Sequence, residues 1–230
     1  MRIFKHLRSE WFRYGFETLA VVVGILIAFT LDNWNDQRKT KAAAEIYKQK
    51  IISDIVADTV NINRLMERCR SMQESIDTYF EFFDQGNIPM SELIDSSKQV
   101  NGGYFRYLPV NYTFIDMQSS GNTILLTDEQ RIALIELSNN QEFLQIIIEK
   151  TITQIMEDEH SRNEYLDFDR SQNDFFESIS MTLDQRSKAQ GLKHQHNMLS
   201  KNHYLAYQMI SKGESIKARS QNCLELLTAY

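Results

Sequence analysis

The first strong feature of the hydrophobic pattern lies near the N-terminus. The fourteen residues 18–31 carry no charged side chain. As a helix they cover about 21 Å of a hydrocarbon layer that is roughly 30 Å thick. Aromatic residues flank the run on both sides, which is typical of side chains at a membrane surface. The pattern therefore predicts a transmembrane helix over residues 14–34, preceded by a short basic tail over residues 1–13.

A cleaved signal peptide is the alternative interpretation of this pattern. Such a peptide ends in a small-x-small cleavage site, and the nearest sequence, Ala28-Phe29-Thr30, matches that rule poorly. The helical pattern also continues past the run. We therefore expect an uncleaved signal anchor, followed by an α-helical extramembrane domain over residues 35–230.

The orientation of the predicted span rests on where the charges lie. Four basic residues precede it and four follow within a similar distance, so the number of basic residues does not decide the orientation. Arg13, however, adjoins the N-terminal border, whereas Asp32 and Asp36 come first at the other border. Because basic residues favour the cytoplasmic side, we expect a cytoplasmic N-terminus and an extracytoplasmic domain.

Small residues recur every four positions inside the predicted span. Ala20, Gly24 and Ala28 share one helix face, which predicts close packing against another helix, although small residues are common in any span. Polar and aromatic side chains mark the borders of the span, where they can reach the membrane surface. These border residues are Glu17, Asn33, Trp34 and Asn35.

A heptad pattern follows the span. No Gly or Pro interrupts residues 25–85, so the span is predicted to continue directly into a long helix. Apolar residues in this helix alternate at spacings of three and four, with Asp58 as the one charged residue among them. Further apolar residues widen the stripe, which favours an intramolecular bundle. The seam consists of Ile51, Ile55, Ile62, Leu65, Cys69, Met72, Ile76, Tyr79 and Phe83.

Helical patterns account for most of the remaining chain. With two Pro and eight Gly residues, and no series of alternating strands, the sequence predicts an all-α fold: an elongated antiparallel bundle. Thr127 and Gln130 have the spacing of a capping box at the start of one helix. A Ser/Gln/Lys-rich connector is expected over residues 180–195. The predicted helices cover about 35–85, 89–99, 112–120, 128–176 and 197–229.

Net charge argues against nucleic acid as a partner. The whole chain has a formal charge of -6. Residues 1–34 carry four basic and three acidic side chains, so the remainder, with 21 basic and 28 acidic residues, has a charge of -7. A domain of this sign lacks the basic surface that a phosphate backbone requires.

The two cysteines lie in apolar helical patterns, far apart in the chain. Cys69 and Cys223 lack the CxxC spacing of a metal or redox site. Two buried thiols are the expected state. A Cys69–Cys223 disulfide is the alternative if the domain is extracytoplasmic.

The stretch VNGGYFRYLPVNY is rich in Gly and aromatic residues. It is too apolar for a fully solvated loop. One interpretation is that it covers one end of the bundle core; the other is that Tyr104, Phe105 and Tyr107 contact a partner.

Two pairs of residues have the spacing of metal ligands. Glu157 and His160 lie three residues apart on one helix face, as in di-metal bundles, but such sites need a second motif and further Glu residues. His194 and His196 lie in the predicted polar connector. We therefore expect no metal site, no cofactor and no catalytic residues, since nucleophile motifs and Gly-rich phosphate loops are also missing from the sequence.

Two stretches resemble a family of uncharacterised bacterial single-span membrane proteins. Residues 17–35, with GILIA and NWN, are similar to the family's pattern GEIxLVVxGILIALxxNNWNE. The second stretch, YTFIDMQSSGNTILLTDEQRIAL, matches a Ser-Gly followed by a Leu-rich turn and a helix. Asp32 replaces the usual Asn, and Phe16 stands where Gly often occurs. The resemblance implies a bacterial inner-membrane anchor with a helical domain, and it brings no established activity.

Three functions from different classes remain open on the sequence. The favoured one is a scaffold or adaptor for another envelope protein, because the seam, the small-residue face and the apolar loop all suit protein contacts. An extracytoplasmic sensory domain that signals through a partner is the second. A metal-dependent enzyme, based on Glu157 and His160, is the third. The expected partners are the lipid bilayer and either another protein or a second copy of the chain.

Overall fold

The computed structural model describes residues 3–166 and 183–229, with side chains from residue 15 onward. Within these residues the fold is all-helical and contains no strand, which confirms the predicted fold class. The elements are α1 (Ile3–Asp84), α2 (Met90–Lys98), α3 (Tyr112–Ser120), a 3-10 turn (Asn122–Leu125), α4 (Asp128–Asn163) and α5 (Gln185–Thr228).

The N-terminal helix is a single unbroken element. α1 has 82 residues, which corresponds to a length of about 120 Å. Residues 15–42 of it are all exposed, and burial begins near residue 43. α1 therefore divides into a projecting part and a part that belongs to the bundle, with no break between them.

The bundle alternates in direction along the chain. α5 packs along both α1 and α4. It runs antiparallel to each of them, as the order of the ion pairs between the helices shows. The segment 90–125 lies against the bundle: its loop bonds to Asp58 of α1 and to Gln141 of α4, and α2 contacts α5. The order is therefore up, down, up, down, with the short helices and their loop as the second member.

Heptad seams of α1, α4 and α5 meet in the core. The α1 seam is buried from Ile51 to Tyr79, as predicted, but its last predicted member, Phe83, is 37% exposed. Asp58 lies within the seam and is buried with its apolar neighbours. α5 contributes a seam with the same alternating spacing, including polar residues. Its members are Gln195, Leu199, Asn202, Ala206, Met209, Gly213, Ile216, Ser220, Cys223 and Leu227.

The predicted end of α4 was wrong. α4 begins at the capping box of Thr127 and Gln130, as predicted, but it ends at Asn163 and not at residue 176. Tyr165 N–H and Leu166 N–H both donate to the Arg162 carbonyl and close the last turn. Ile155 is the last apolar residue of α4 that is buried. The rest of the predicted stretch, 167–176, lies outside the described residues.

The predicted start of α5 was also wrong. The helix begins at Gln185 and not at residue 197, because the Asp184 side chain caps it by accepting a hydrogen bond from Ser187 N–H. From there Gly191, Leu192 and Gln195 are buried, so most of the stretch predicted as a connector is helix. Leu166 covers Gly191, where a Cβ would lie 2.4 Å from the Leu166 Cγ.

The two cysteines are buried free thiols, so the disulfide alternative is wrong. Cys69 Sγ lies 3.6 Å from Met209 Sδ. Met209 is fourteen residues, or about 21 Å, along α5 from Cys223, which is far beyond the reach of a disulfide. Burial raises the pKa of Cys69 to about 12 and that of Cys223 to about 11, so both thiols are protonated and inert at neutral pH.

Candidate functional site

One helix near the N-terminus is long and apolar enough to cross a membrane. None of its most apolar window is buried by the described part of the chain. Large apolar side chains point outward all around the helix, which is the opposite of the one-sided burial of a bundle helix. These residues are Phe16, Leu19, Val21, Val22, Val23, Ile25, Leu26, Ile27, Phe29, Leu31 and Trp34.

The small-residue face lies in this projecting part of α1. Ala20, Gly24 and Ala28 are exposed, and a Cβ built at Gly24 would meet no atom within 4 Å. Helix pairing through this face stays a prediction. The predicted border residues Glu17, Asn33, Trp34 and Asn35 are exposed on the same helix.

A buried carboxylate joins α1, α4 and the loop between them. Asp58 is 1% exposed. Its Oδ2 accepts hydrogen bonds from Tyr107 O–H at 2.7 Å and Gln141 Nε2 at 2.8 Å, while its Oδ1 accepts from Val110 N–H at 3.0 Å. We call Asp58, Tyr107, Val110 and Gln141 the Asp58 cluster. The hydrogen bonds of this cluster hold the loop against the bundle. Asp58, the charged residue of the α1 seam, therefore faces this loop.

Electrostatics in the Asp58 cluster are governed by burial. Desolvation raises the pKa of Asp58 above its usual value, and the hydrogen bonds from Tyr107, Val110 and Gln141 act against this rise. Desolvation also raises the pKa of Tyr107, and the neighbouring Asp58 carboxylate raises it further. The Tyr107 hydroxyl is therefore a donor at any physiological pH.

The aromatic loop covers the core with part of its side chains. Tyr107 is buried and belongs to the Asp58 cluster, and Phe105 packs against the core. Tyr104 is 45% exposed, and Leu108 is 69% exposed. Of the three residues predicted for partner contact, Tyr104 thus has the most accessible surface, and partner binding by the loop stays a prediction.

At the end of the bundle farthest from residues 15–42, the elements border a half-open cavity of about 210 Å³, which we call the distal cavity. It lies between the end of α2, the loop at Gly102 and Gly103, the end of α4 and the first turns of α5. Four of its polar lining residues are more than nine-tenths buried. They are Ser97, Arg162, Gln195 and Asn202.

A hydrogen-bonded chain forms one wall of the distal cavity. Arg162 Nη1 donates to Gln195 Oε1 at 2.9 Å, and Gln195 Nε2 donates to the Ser97 carbonyl at 3.3 Å. Arg162 also pairs with Glu159, whose other carboxylate oxygen accepts from the Tyr104 hydroxyl. Burial lowers the pKa of Arg162, and Glu159 acts against this change. The wall thus holds a fixed positive and a fixed negative charge side by side.

Asn202 is the unsatisfied group of the distal cavity. The side chain is 3% exposed, and its Oδ1 accepts no hydrogen bond from any described residue. A buried acceptor without a donor costs about 1–3 kcal/mol of folding free energy. Such groups are uncommon in folded proteins and call for an explanation.

The candidate metal ligands do not come together. Glu157 and His160 are both exposed on α4. His194 Nδ1 lies 3.4 Å from Asp158 Oδ1, and the other oxygen of Asp158 pairs with Lys201 at 2.7 Å. Among the described residues, no three His, Cys, Asp or Glu side chains could hold one metal ion.

His196 lies on helix α5, where a connector was predicted, and packs among aromatic rings of α1. Its ring lies 4.9 Å from that of Phe80 and 4.8 Å from that of Phe83. Burial there lowers the pKa of His196, and Asp84 acts against this change. The imidazole thus serves as a packing group at the distal end of the bundle.

Sequence reasoning missed Arg162, Gln195 and Asn202, yet two of them had a detectable signal. Gln195 and Asn202 occupy heptad positions of α5 where apolar residues are the rule. A polar residue at a seam position implies a buried hydrogen-bonding group, as Asp58 does in α1. Arg162 gave no such signal, because it follows a run of polar residues.

A scan against protein-family models, a search of curated proteins and a search of solved structures found no match to this chain.

Proposed function

We propose that this chain is a single-pass protein of a bacterial inner membrane, with a cytoplasmic N-terminus, whose helical domain acts as a scaffold or adaptor for another envelope protein. The observation that carries the proposal is the continuity of α1. One helix contains both the exposed apolar stretch and one of the seams of the bundle core. Anything that holds the apolar stretch also fixes the position of the bundle.

The apolar surface of α1 supports a membrane environment. Its large apolar side chains are exposed on every side, and burying them is worth roughly 25 cal/mol for each Å² removed from water. Lipid or a partner helix can cover such a surface, and the small face at Gly24 suits a helix. Leu108 and Tyr104 supply exposed apolar area on the bundle itself.

Crosslinking in intact membranes tests the scaffold proposal. A photoreactive residue is placed at Gly24 in the span, at Leu108 in the loop, or at Asn222 as an exposed polar control on α5. We expect one discrete adduct with an envelope protein from position 24 or 108, and none from position 222. An adduct at twice the chain mass identifies a second copy as the partner. Equal background at all three positions contradicts the proposal.

The orientation is tested with a thiol reagent that does not cross membranes. Cys69 and Cys223 are buried, so an introduced Asn222→Cys supplies the accessible thiol of the folded bundle. Labelling from outside the cytoplasm is expected before the membrane is opened. Labelling that requires an opened membrane reverses the proposed orientation.

The distal cavity favours a sensory domain as the second candidate function. The loop that borders the cavity is tied to α1, since Asn101 N–H donates to Ser75 Oγ at 2.8 Å. α1 in turn continues into the apolar stretch without a break. A ligand in the cavity could therefore bias the position of the helix that carries the span, and a partner would read that change.

A further inference from the structure

We propose that two copies of this chain pair in parallel along one exposed face of α1, which we call the outer stripe. The inference rests on the proposed membrane anchor, and it adds a second copy of the chain as a partner of α1. The stripe runs from the predicted span into the bundle in steps of three or four residues. It consists of Gly24, Ala28, Leu31, Asn35, Arg38, Ala42, Ile46, Gln49, Ser53, Val56 and Val60.

The outer stripe keeps one direction along the helix. From Gly24 to Val60 it takes ten steps over 36 residues, or about 3.6 residues a step, which is one turn of an α-helix. Ser53 lies two residues from Ile51 of the bundle seam, and Val60 lies two residues from Ile62. Two residues correspond to a rotation of about 200°. The stripe therefore faces away from the bundle core.

Apolar side chains of the stripe stay exposed even where α1 belongs to the bundle. Ile46 is 57% exposed, Val56 is 50% exposed and Val60 is 51% exposed. Beyond Val60 the exposed positions of α1 include the charged residues Glu67 and Glu74. The exposed apolar residues thus occur in the half of the helix that is nearer to the span, and exposed apolar patches are typical of protein contacts.

The membrane favours a second copy as the occupant of this face. Copies of a single-pass protein cross the membrane in the same direction and at the same depth, so identical stripe residues meet when two α1 helices pair. Gly24 and Ala28 allow the two backbones to approach closely within the lipid. Outside it, Ile46 and Val56 meet their own copies. Asn35 suits the same symmetry, because an amide has both a donor and an acceptor for its copy.

The charge and the length of the stripe are compatible with a stable dimer. Arg38 is the one charged residue of the stripe. It lies four residues, or about 6 Å, beyond Trp34, so its long side chain can turn from the contact to the headgroup phosphates. The stripe spans about ten helical turns, and two or three residues from each turn give roughly 20–30 residues a side, as in a standard stable interface.

Disulfide crosslinking in intact membranes tests the pairing. Ala42→Cys places a thiol in the stripe, and Thr40→Cys places one on the opposite face at nearly the same height; both positions are exposed. A disulfide needs Cβ atoms about 3.8 Å apart, so only a residue that faces its copy forms one. With an oxidant we expect a product of twice the chain mass from Ala42→Cys and from Ser53→Cys, and at least about fivefold less from Thr40→Cys.

The parent chain is the first control, because its Cys69 and Cys223 are buried and should give no such product. Equal yields from all three variants, or no product from Ala42→Cys and Ser53→Cys, overturn the pairing. Membrane fractionation separates this result from failure of the anchor. A membrane-bound chain without the stripe product refutes the pairing alone, whereas a chain found in the aqueous fraction refutes the anchor and the pairing together.

Two acidic substitutions test the apolar part of the stripe. Val56→Glu and Val60→Glu are combined in the Ala42→Cys chain, where they place carboxylates opposite their own copies. Both positions are exposed, so the unfolding temperature should stay within about 3 °C of the parent. The crosslinked yield should fall at least about fivefold, because like charges that face each other oppose association.

Ile132→Glu combined with Ile135→Glu is the matched control for this variant. These exposed residues carry the same change of charge on α4, away from the stripe, and the crosslinked yield should equal that of Ala42→Cys alone. A folded chain with Val56→Glu and Val60→Glu that crosslinks as well as this control refutes the proposed interface.

Discussion

Asp58 is the residue on which the middle of the bundle depends. It brings a charge into a seam that is otherwise apolar, and three donors from the loop and α4 meet it there. A buried carboxylate is tolerated when its oxygens are hydrogen-bonded, and removal of a donor leaves part of the cost of burial uncompensated. The residue thus specifies where the loop docks, in addition to any effect on stability.

Tyr107→Phe isolates one of these donors. The ring stays in the core, while Asp58 Oδ2 loses the hydrogen bond at 2.7 Å. We expect the free energy of unfolding to fall by about 1–2 kcal/mol in urea titrations. Tyr112→Phe is the matched control, since Tyr112 is 68% exposed, and its effect should stay within about 0.5 kcal/mol. Similar losses of unfolding free energy for both variants would show that the buried hydroxyl stabilises the fold no more than the exposed one.

Asp58→Asn tests the pH dependence of the cluster. Burial raises the folded-state pKa of Asp58 above the unfolded value near 3.8, so between these two values the folded chain binds more protons than the unfolded chain. Stability due to this group therefore falls as the pH rises through that interval. The asparagine variant lacks this titration, so the stability lost on substitution should be larger at about pH 4 than at about pH 7. The opposite trend would mean that the hydrogen bonds outweigh burial.

At the scale of the element, α5 packs along both α1 and α4. It approaches α1 closely at Gly213, where a Cβ would lie 2.6 Å from Met66 Sδ and 2.9 Å from Met66 Cγ. Met66 is itself 1% exposed, so the surrounding core limits its movement. Packing thus requires glycine at position 213. This requirement outweighs the higher helix propensity of alanine.

The effect of Gly213→Ala on stability should change sign with the residue at position 66. In the parent chain we expect a loss of about 1 kcal/mol or more, because the methyl group overlaps Met66. In a Met66→Ala background the same change should stabilise, since an alanine in a helix interior is favoured by roughly 0.8–1 kcal/mol over glycine. Thermal unfolding of the four variants measures the coupling. An identical effect in both backgrounds would remove the packing explanation.

Elements with a strict pattern were predictable from the sequence, and the loop was not. The seam of α1 from Ile51 to Tyr79 and the capping box at Thr127 follow local rules, and the structure confirms both. The start of α5 was missed because polar residues obscured the cap at Asp184. The docking of Tyr107 had no local signal, since its partner Asp58 lies 49 residues away in the chain. The distal cavity likewise combines four segments that no periodicity relates.

At the scale of the whole molecule, α1 acts as one rod that carries the bundle. Residues 15–42 are all exposed, so within the described part of the chain they do not pack into the bundle. The stability of the bundle and the geometry of the rod should therefore respond to different mutations. A change in the projecting part alters position without altering the core.

Ala42→Pro separates the two properties. Proline in a helix interior removes one backbone hydrogen bond and kinks the helix, yet residue 42 is exposed and precedes the bundle. Unfolding of the bundle should change by no more than about 0.5 kcal/mol. Spin labels at Asn35→Cys and Glu67→Cys should show one narrow distance near 48 Å in the parent, from about 1.5 Å per residue, and a shorter, broader one in the variant. Ala42→Leu is the control, and a broad distribution in the parent would contradict a continuous rod.

The projecting part of α1 also sets the distance between the acidic bundle and the membrane surface. With Trp34 at the bilayer surface, as proposed, thirteen residues of helix separate it from Tyr47, where α1 is already packed into the bundle. That spacing is about 20 Å, or roughly two screening lengths at physiological salt. Beyond residue 46 the chain has 18 basic and 26 acidic residues, a charge of -8, and anionic lipid headgroups would repel it at closer range. At this distance salt screens the repulsion between the bundle and the headgroups. The bundle can therefore be acidic without being pushed away from the membrane.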